Sequence, residues 1–168
     1  MADKPSVIRD TDNEARELAR ELIRKARYVG LAVIDPQNGF PQISRVLLAT
    51  DAGGIPFILV SRLSAHTQSL STDPRCSFLA GEPGKGDPLA HARISVQCLA
   101  ERVEHDTDVH ETLRTRFLKL HPKAKLYIDF ADFGFFRLVP QSASLNGGFG
   151  RAYNLSRIDL LEQRPIDT

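Results

Sequence analysis

The sequence predicts a mainly β fold: a small six-stranded antiparallel barrel with helices packed against its outside. Three observations favour this fold. The chain contains six short apolar runs separated by turns rich in Pro, Gly, Asn and Asp. It contains only two clearly amphipathic helical stretches, and six strands with so few helices hide their edges best by closing on themselves. An open sandwich is the alternative, and the length of 168 residues indicates one domain.

The first predicted element is an N-terminal helix at about residues 11–28. Thr11 and Glu14 form a capping-box pattern, in which a hydroxyl accepts from first-turn amides and a carboxylate reaches back. Apolar residues then recur at helical spacing and define one face that covers another element. These residues are Ala15, Leu18, Ala19, Leu22, Ile23 and Ala26.

The barrel is predicted at about residues 29–146, where the apolar period changes to that of strands. A short helix at 64–72 ends before the Asp73–Pro74 pair. A second amphipathic helix follows Asp106 or Thr107 and ends before Pro122, and its predicted buried stripe is Val109, Leu113, Phe117 and Leu120. The six predicted strands are 29–35, 40–51, 55–61, 75–82, 91–104 and 133–145.

The tail at 147–168 begins with the glycine-rich "GGFG" and is then weakly patterned. This segment lacks the strand–GxGxxG–helix context of a dinucleotide-binding fold, so it is interpreted as flexible backbone. No internal repeat or domain linker is evident.

Composition excludes several classes of function. The formal net charge is +1, so no field from the whole molecule attracts nucleic acid or a membrane surface. The N-terminus has no apolar signal core and no run reaches the length of a membrane span, which leads us to expect a cytoplasmic protein. Cys76 and Cys98 form no CxxC motif and are expected to be buried small hydrophobes.

No metal site is predicted. His105 and His110 are five positions apart and do not share a helical face. With Asp106 and Asp108 nearby they are interpreted as the solvated start of a helix.

The stretch "PFILVSRLSAHTQSLSTDPRCSFL" gathers hydrogen-bond donors at the start of the short helix. Ser64 is a natural N-cap with Thr67 three residues on, and free amides at a helix start favour an anion. Arg62 and His66 add positive charge, and Arg45 on a neighbouring strand could point to the same place, as a phosphate site requires. Ser-rich helix starts are also common caps, and arginines on strands usually cover a sheet face. On the residues alone, both interpretations stay open.

Several blocks in order resemble a known family. "SRVLLATD", "PFILVSRLSAHTQSLSTDPRCSFL" and "GDPLAHARISVQCLAERVE" resemble the FMN-binding split-barrel family related to pyridoxamine 5′-phosphate oxidase. Together with "LNGGFGRAY" they are most similar to its haem-utilisation (HugZ-like) branch. The resemblance covers residues 28–153. It implies a six-stranded split barrel that forms a homodimer, with FMN in grooves at the subunit interface.

The resemblance implies specific roles at the FMN phosphate. Arg45 takes the place of the strand arginine that meets the phosphate, and Ser64 matches the serine of the family's Ser-x-Lys block. His66 stands where many members have a phosphate-binding lysine, and Thr67 adds a hydroxyl. A neutral imidazole brings no charge near pH 7, so FMN binding through His66 is expected to weaken as pH rises above the histidine pKa.

The resemblance also implies contacts with the flavin ring. Val46 and Leu47 follow the isoalloxazine edge, and Val60 and Ser61 offer backbone groups to the ring. Arg93 falls where relatives often have a glutamine near the flavin. These carry-overs predict a cofactor site from strands that are distant in sequence.

The first predicted function is an FMN-dependent oxidoreductase of unknown substrate, in which the flavin performs the chemistry. True pyridoxamine 5′-phosphate oxidase activity is not expected, because the chain has no tryptophan and no histidine after Asn146. The alternatives are a haem-binding or haem-degrading protein of the HugZ type, for which Tyr153 is a conceivable iron ligand, and a non-catalytic binding module. Asn146 and Arg151 are further expected contacts near a partner's flavin.

Four phenylalanines also bear on the predicted homodimer. Because side chains alternate along a strand, they cannot all face one barrel interior. Some should be buried by a second subunit, or by the two amphipathic helices alone. These residues are Phe130, Phe133, Phe135 and Phe136.

Overall fold

The structure is a computed structural model and describes residues 7–161. It contains eight strands and four α-helices in this range. The strands are β1 (Ile8–Arg9), β2 (Tyr28–Ile34), β3 (Pro41–Thr50), β4 (Pro56–Ser61), β5 (Arg75–Ala80), β6 (Arg93–Arg102), β7 (Phe133–Asn146) and β8 (Ala152–Ser156). The helices are α1 (Asn13–Lys25), α2 (Ala65–Thr72), α3 (Asp108–Leu120) and α4 (Arg157–Leu160). Two 3-10 helices lie at Pro88–Ala90 and Pro122–Leu126.

Six antiparallel strands close into the predicted barrel. Their order is β7-β4-β3-β2-β5-β6, and β6 returns to β7 along ten registered pairs that include Arg93↔Asn146 and Arg102↔Phe136. A register shift between Gln97 and Cys98 bends β6, as a bulge does. The fold class predicted from the sequence is therefore confirmed.

Two apolar clusters hold the molecule together. The barrel interior takes the inward-facing positions of every barrel strand, and α1 covers one side of it with Ala15, Ala19 and Ile23. A second cluster lies outside the barrel between β4, β7 and α3, where Phe57, Phe117 and Phe135 are fully buried. Alternation along each strand sends successive side chains to these two cores.

The four phenylalanines divide as strand alternation requires. Phe136 lies in the barrel interior, whereas Phe135 packs under α3 and Phe133 lies against the same outer cluster. Phe130 is 57% exposed. Burial of Phe135 under α3 agrees with the second of the two predictions, that helices alone bury these phenylalanines.

Helix α1 is shorter than predicted and has a different cap. It begins at Asn13, and the Asp12 side chain accepts a hydrogen bond from the Ala15 amide at 2.8 Å. Thr11, the predicted cap, instead donates its hydroxyl to the Asn154 carbonyl at 2.8 Å. The helix ends at Lys25, and Tyr28 already belongs to β2. Asp is as good an N-cap as Thr, so the local sequence could not tell which of Thr11 and Asp12 caps the helix.

The C-terminal segment is more ordered than its weak pattern predicted. Strand β8 pairs antiparallel with β7, and β1 pairs parallel with β8. The "GGFG" loop between β7 and β8 is held by the Gly147 amide, which donates to the Arg151 carbonyl at 2.7 Å. Helix α4 has a capping box between Ser156 and Asp159. The part of the predicted tail beyond residue 161 lies outside the described residues.

The stripe predicted for α3 is correct only in part. Leu113 and Phe117 are buried, but Val109 is 50% exposed and His110 takes its place at the buried face. Both cysteines lie in the barrel interior as predicted, directly opposite each other on β5 and β6. Burial raises the pKa of the Cys76 thiol to about 12. No helix within residues 7–161 combines the length and apolarity needed to cross a membrane.

Candidate functional site

The outer face of β2, β3 and β5 forms a groove of about 860 Å³. Small residues at outward-facing positions of adjacent strands form its floor: Gly30, Ala32, Ser77 and Ser95. Gly30 leaves room beside Ile43, since a Cβ built there would meet only the Ile43 Cγ2 at 3.7 Å. The floor is therefore flat and can accept a planar ligand.

One end of this groove is polar. Arg45 lies exposed on β3 opposite Gly30, with its guanidinium carbon 5.5 Å from the centre of the Tyr28 ring, a cation–π distance. A hydrogen bond with Glu82, together with the negative charge of that carboxylate, raises the pKa of the Tyr28 phenol. Arg27 and Lys25 also line the groove. This end can pair with carboxylate or phosphate groups of a ligand.

The groove continues into a second one of about 570 Å³ on the same face, and Ala32 and Ser77 line both. Several large apolar side chains on this surface stand in solvent. Ile43 is 73% exposed, Leu79 53%, Tyr28 42% and Leu99 38%. A contiguous apolar surface of this kind is typical of a binding site.

Strands β3 and β4 separate beside the groove. They pair only between Leu48–Thr50 and Pro56–Ile58, so the preceding part of β3 and the following part of β4 are not paired with each other. Val46 and Val60 point into the barrel core, and Leu47 packs against the outer cluster. Since both valine side chains point inward, a ligand at this split could contact Val46 and Val60 only through their backbone groups. A backbone contact is what was predicted for Val60.

The hydroxyls at the start of α2 bond to one another and to backbone. Ser64 is the N-cap, as predicted, but its Oγ donates to the Ser61 carbonyl at 2.5 Å and lies 3.1 Å from the Thr67 Oγ1. Ser61 donates its own hydroxyl to the Asp132 carboxylate at 2.5 Å. These bonds fix the β4–α2 corner and leave fewer donors for an anion than the sequence indicated.

His66 is half-buried on α2, and desolvation lowers its pKa. The imidazole is thus neutral over a wider pH range than a free histidine. A charge on His66 for a bound phosphate is available only in more acidic solution.

The structure places the predicted phosphate residues in two cavities. Arg45 lines the 860 Å³ groove, whereas Thr67 lines a separate cavity of about 250 Å³ between α2 and the ends of β6 and β7, together with Val60, a predicted ring contact. Helix α2 does pack near β2 and β3. Convergence of Arg45 and Ser64 on one phosphate stays a prediction.

Arg93 is engaged by its own loop. Its Nη1 donates to the Leu89 carbonyl at 3.0 Å and to the His91 carbonyl at 3.3 Å. Gly81 lets the end of β5 lie close to the Ala92 backbone, because it adopts a φ of +115° and a Cβ there would lie 2.5 Å from the Ala92 carbonyl oxygen. Arg93 therefore shapes the loop at the end of β5 and β6.

Residues considered in the C-terminal segment have structural roles here. Tyr153 is 8% exposed and packs in the barrel core, so most of its ring serves the fold. Asn146 accepts from the Gly148 amide at 3.1 Å, and Arg151 donates to the Gly147 carbonyl at 2.7 Å. Both stabilise the glycine loop.

Sequence reasoning missed a histidine pair. His110 is 8% exposed, its ring lies 4.7 Å from that of His105 and 5.3 Å from that of Phe135, and its Nδ1 has no hydrogen-bond partner in the described chain. The Glu111 carboxylate lies 3.5 Å from this nitrogen. Position 110 falls three residues before Leu113 and seven before Phe117, a spacing that could have identified it as buried. No cluster of three metal-ligating side chains occurs within residues 7–161.

Comparison with known proteins gives a consistent result. The family described as "CREG, beta-barrel" matches residues 10–160. A chloroplastic heme oxygenase, HOZ, of Arabidopsis thaliana is 32% identical over 116 residues, which cover 69% of this chain but 35% of that protein. Heme oxygenase HutZ of Vibrio cholerae is 27% identical over 149 residues, 85% of this chain and 82% of the relative.

A solved structure has the same fold, and its sequence identity to this chain is similar to that of the Arabidopsis relative. The heme binding protein from Mycobacterium smegmatis matches with a TM-score of 0.79 and 31% identity, over 95% of this chain and 61% of that chain. This chain therefore spans about a third of the Arabidopsis relative and about three fifths of the mycobacterial one. The predicted similarity to the haem-utilisation branch agrees with these relatives, whereas none of the three is named for a flavin.

Proposed function

Since the chain belongs to the CREG β-barrel family, we propose that it binds haem in the groove on the outer face of β2, β3 and β5. The observation that carries this proposal is the groove itself: about 860 Å³ in volume, with a flat floor of small residues and cations at one end. This volume lies toward the upper part of the range of roughly 300–1,000 Å³ for ligand sites. The haem-related relatives favour haem over FMN as the occupant.

The lining of the groove suits both parts of haem. Ile43 and Leu79 offer apolar surface to the porphyrin, and burying it there is favourable by about 25 cal/mol per Å². Arg45 and Arg27 offer guanidinium groups to the propionates, in charge-assisted hydrogen bonds. Lys25 is a weaker candidate because it is ion-paired with Glu21.

The groove offers no obvious side chain to ligate the haem iron. None of the residues that line the groove is a histidine, and Tyr28 has a raised pKa that disfavours the tyrosinate form. We assign this face to holding the macrocycle and its carboxylates. Haem, when bound, supplies iron redox chemistry, and oxidative breakdown of haem is the enzymatic activity to be tested.

FMN is the competing occupant. The separation of β3 from β4 beside Arg45 is the observation that favours it, because it leaves strand backbone unpaired next to the groove. A flavin ring could use such groups, as the sequence resemblance implies. The oxidoreductase interpretation depends on FMN binding and is tested in the same experiment.

Titration with haem, followed by absorbance, tests the proposal. We expect a Soret band that saturates with haem, and no flavin bands that stay with the protein when a mixture with FMN is passed through a desalting column. Ala32→Trp fills the floor of the groove and should weaken haem binding at least tenfold. Arg45→Ala should weaken it about tenfold through loss of a charge-assisted bond. Glu101→Trp, at an exposed β6 position that does not line the groove, is the matched control.

The outcomes separate the two cofactors. Equal haem affinity in wild type, Ala32→Trp and Glu101→Trp would contradict the location. FMN bands lost in Arg45→Ala, without a Soret band in wild type, would support the flavin instead. Loss of the Soret band on adding reductant and oxygen would indicate haem breakdown.

A further inference from the structure

Three arginines from two helices line a small cavity on the side of the molecule where α1, α3 and the β3–β4 turn meet. Arg20 and Arg24 come from α1 and Arg116 from α3, and the cavity measures about 80 Å³. Like charges that share so small a space repel one another. Such an arrangement can accept an anion, even though Arg24 and Arg116 are also exposed to solvent.

Two of these guanidinium groups are held in place by backbone carbonyls. Arg20 Nε donates to the Asp159 carbonyl at 3.1 Å, and Arg116 Nε donates to the Thr50 carbonyl at 3.0 Å. Each bond uses one of the five N–H donors of an arginine and neutralises no charge. The remaining donors are thus positioned but not consumed.

The carboxylates nearby are already paired. Asp51 lines the cavity, but its Oδ2 accepts from Arg137 Nη2 at 2.6 Å and its Oδ1 accepts from the Gly53 and Ile55 amides. The Asp159 carboxylate pairs with Arg16 at 2.6 Å.

Arg24 makes no ion pair or side-chain hydrogen bond with residues 7–161. Its charge contributes to lowering the pKa of Glu21, but the ion pair of Glu21 is with Lys25. Within the described residues, the charge of Arg24 is therefore not matched by an ion pair.

We propose that this cavity binds a tetrahedral oxyanion, namely inorganic phosphate or the phosphate group of a small phosphorylated molecule. A cavity of about 80 Å³ has room for one such group. Guanidinium groups bind phosphate through paired N–H donors. The site lies apart from the haem groove, and no residue lines both.

Isothermal titration with inorganic phosphate, at low ionic strength in a chloride buffer, tests the site. We expect one saturable site per chain. Arg24→Gln and Arg116→Gln should each raise the Kd about tenfold, as expected for the loss of one charge-assisted contact. Arg24→Gln removes no bond that holds the fold, so it should keep the circular dichroism spectrum and the haem titration of wild type. Arg157→Gln, an exposed arginine on α4 that does not line the cavity, should bind phosphate as wild type does.

A parallel titration with glycerol 3-phosphate distinguishes the two sources. Binding at least as tight as that of inorganic phosphate assigns the site to a phosphate ester, and markedly weaker binding assigns it to the free anion. Absence of saturable binding of either probe to wild type at millimolar concentrations would overturn the proposal. Equal weakening by Arg24→Gln and Arg157→Gln would also overturn it, because only net charge would then matter.

Discussion

His66 couples protonation to stability at the level of a single residue. Desolvation lowers its pKa in the folded protein, so the unfolded chain binds the proton more readily. Its contribution to stability is complete above the unfolded pKa of about 6.5 and is lost as pH falls from there through the lower pKa of the folded protein. We expect the free energy of unfolding, measured with urea, to decline between pH 8 and pH 5, and to decline less in His66→Gln. Comparison of the two proteins at pH 8 removes any difference in packing, and parallel declines would contradict the role of His66.

For single residues, the position in a helix was predicted better than the hydrogen-bond partner. The sequence placed Ser64 correctly at the start of α2, yet its hydroxyl bonds to the Ser61 carbonyl and the Thr67 hydroxyl and caps no amide. Thr11 was expected to cap α1 and instead bonds to Asn154, 143 positions away. A hydroxyl has several acceptors within reach, and the fold decides among them. Burial of His110 was missed because a polar residue was assumed to face solvent.

At the scale of elements, one carboxylate helps to fix α4 to α1. Asp159 accepts from Arg16 Nε on α1 and from the amide and hydroxyl of Ser156. Although burial alone would raise the pKa of Asp159, hydrogen bonds from Arg16 and Ser156 lower it on balance. We expect Asp159→Ala to lower the free energy of unfolding at pH 7 by about 1–3 kcal/mol, through loss of the cap and the ion pair.

Urea denaturation at two pH values checks this assignment. The contribution of a carboxylate with a lowered pKa is present above its unfolded pKa of about 3.9 and is lost as pH falls below it. The difference between wild type and Asp159→Ala should therefore shrink toward pH 3. Glu21→Gln, which breaks the exposed pair with Lys25, is the control and should change stability little at either pH. An undiminished difference at pH 3 would mean that lost packing, not the charge, is responsible.

Elements with strong periodicity were predicted and short ones were not. In most of the barrel strands, and in helices α1 and α3, the pattern of apolar residues extends over seven or more positions. Strand β8 has five residues, β1 has two and α4 has four. Such short segments are ordered by their neighbours, as β1 is by its parallel pairing with β8. The one local signal was the capping-box spacing of Ser156 and Asp159 at the start of α4, and it was not recognised.

For the whole molecule, the sequence predicted the barrel but not which of its faces is a groove. The floor residues Gly30, Ala32, Ser77 and Ser95 are spread over 66 positions. Only the registers of β2 with β5 and of β5 with β6 bring them together, through pairs such as Ala32↔Ser77 and Leu79↔Ser95. Small residues at outward positions carry no distinctive signal on one strand. The family resemblance supplied the expectation of a cofactor face that periodicity could not.

The same face leads us to predict a homodimer. Leu79 is 53% exposed and Ile43 73% exposed on one continuous surface that spans both grooves. Because apolar patches of this kind favour association, sedimentation velocity at micromolar concentration should give about twice the mass of the 18.7 kDa chain. Leu79→Asp should give monomers, since dimerisation would bury an unpaired carboxylate. Leu126→Asp alters a leucine that is 78% exposed outside both grooves and should remain dimeric. A monomeric wild type, or a dimeric Leu79→Asp with unchanged circular dichroism, would show that this face serves the ligand alone.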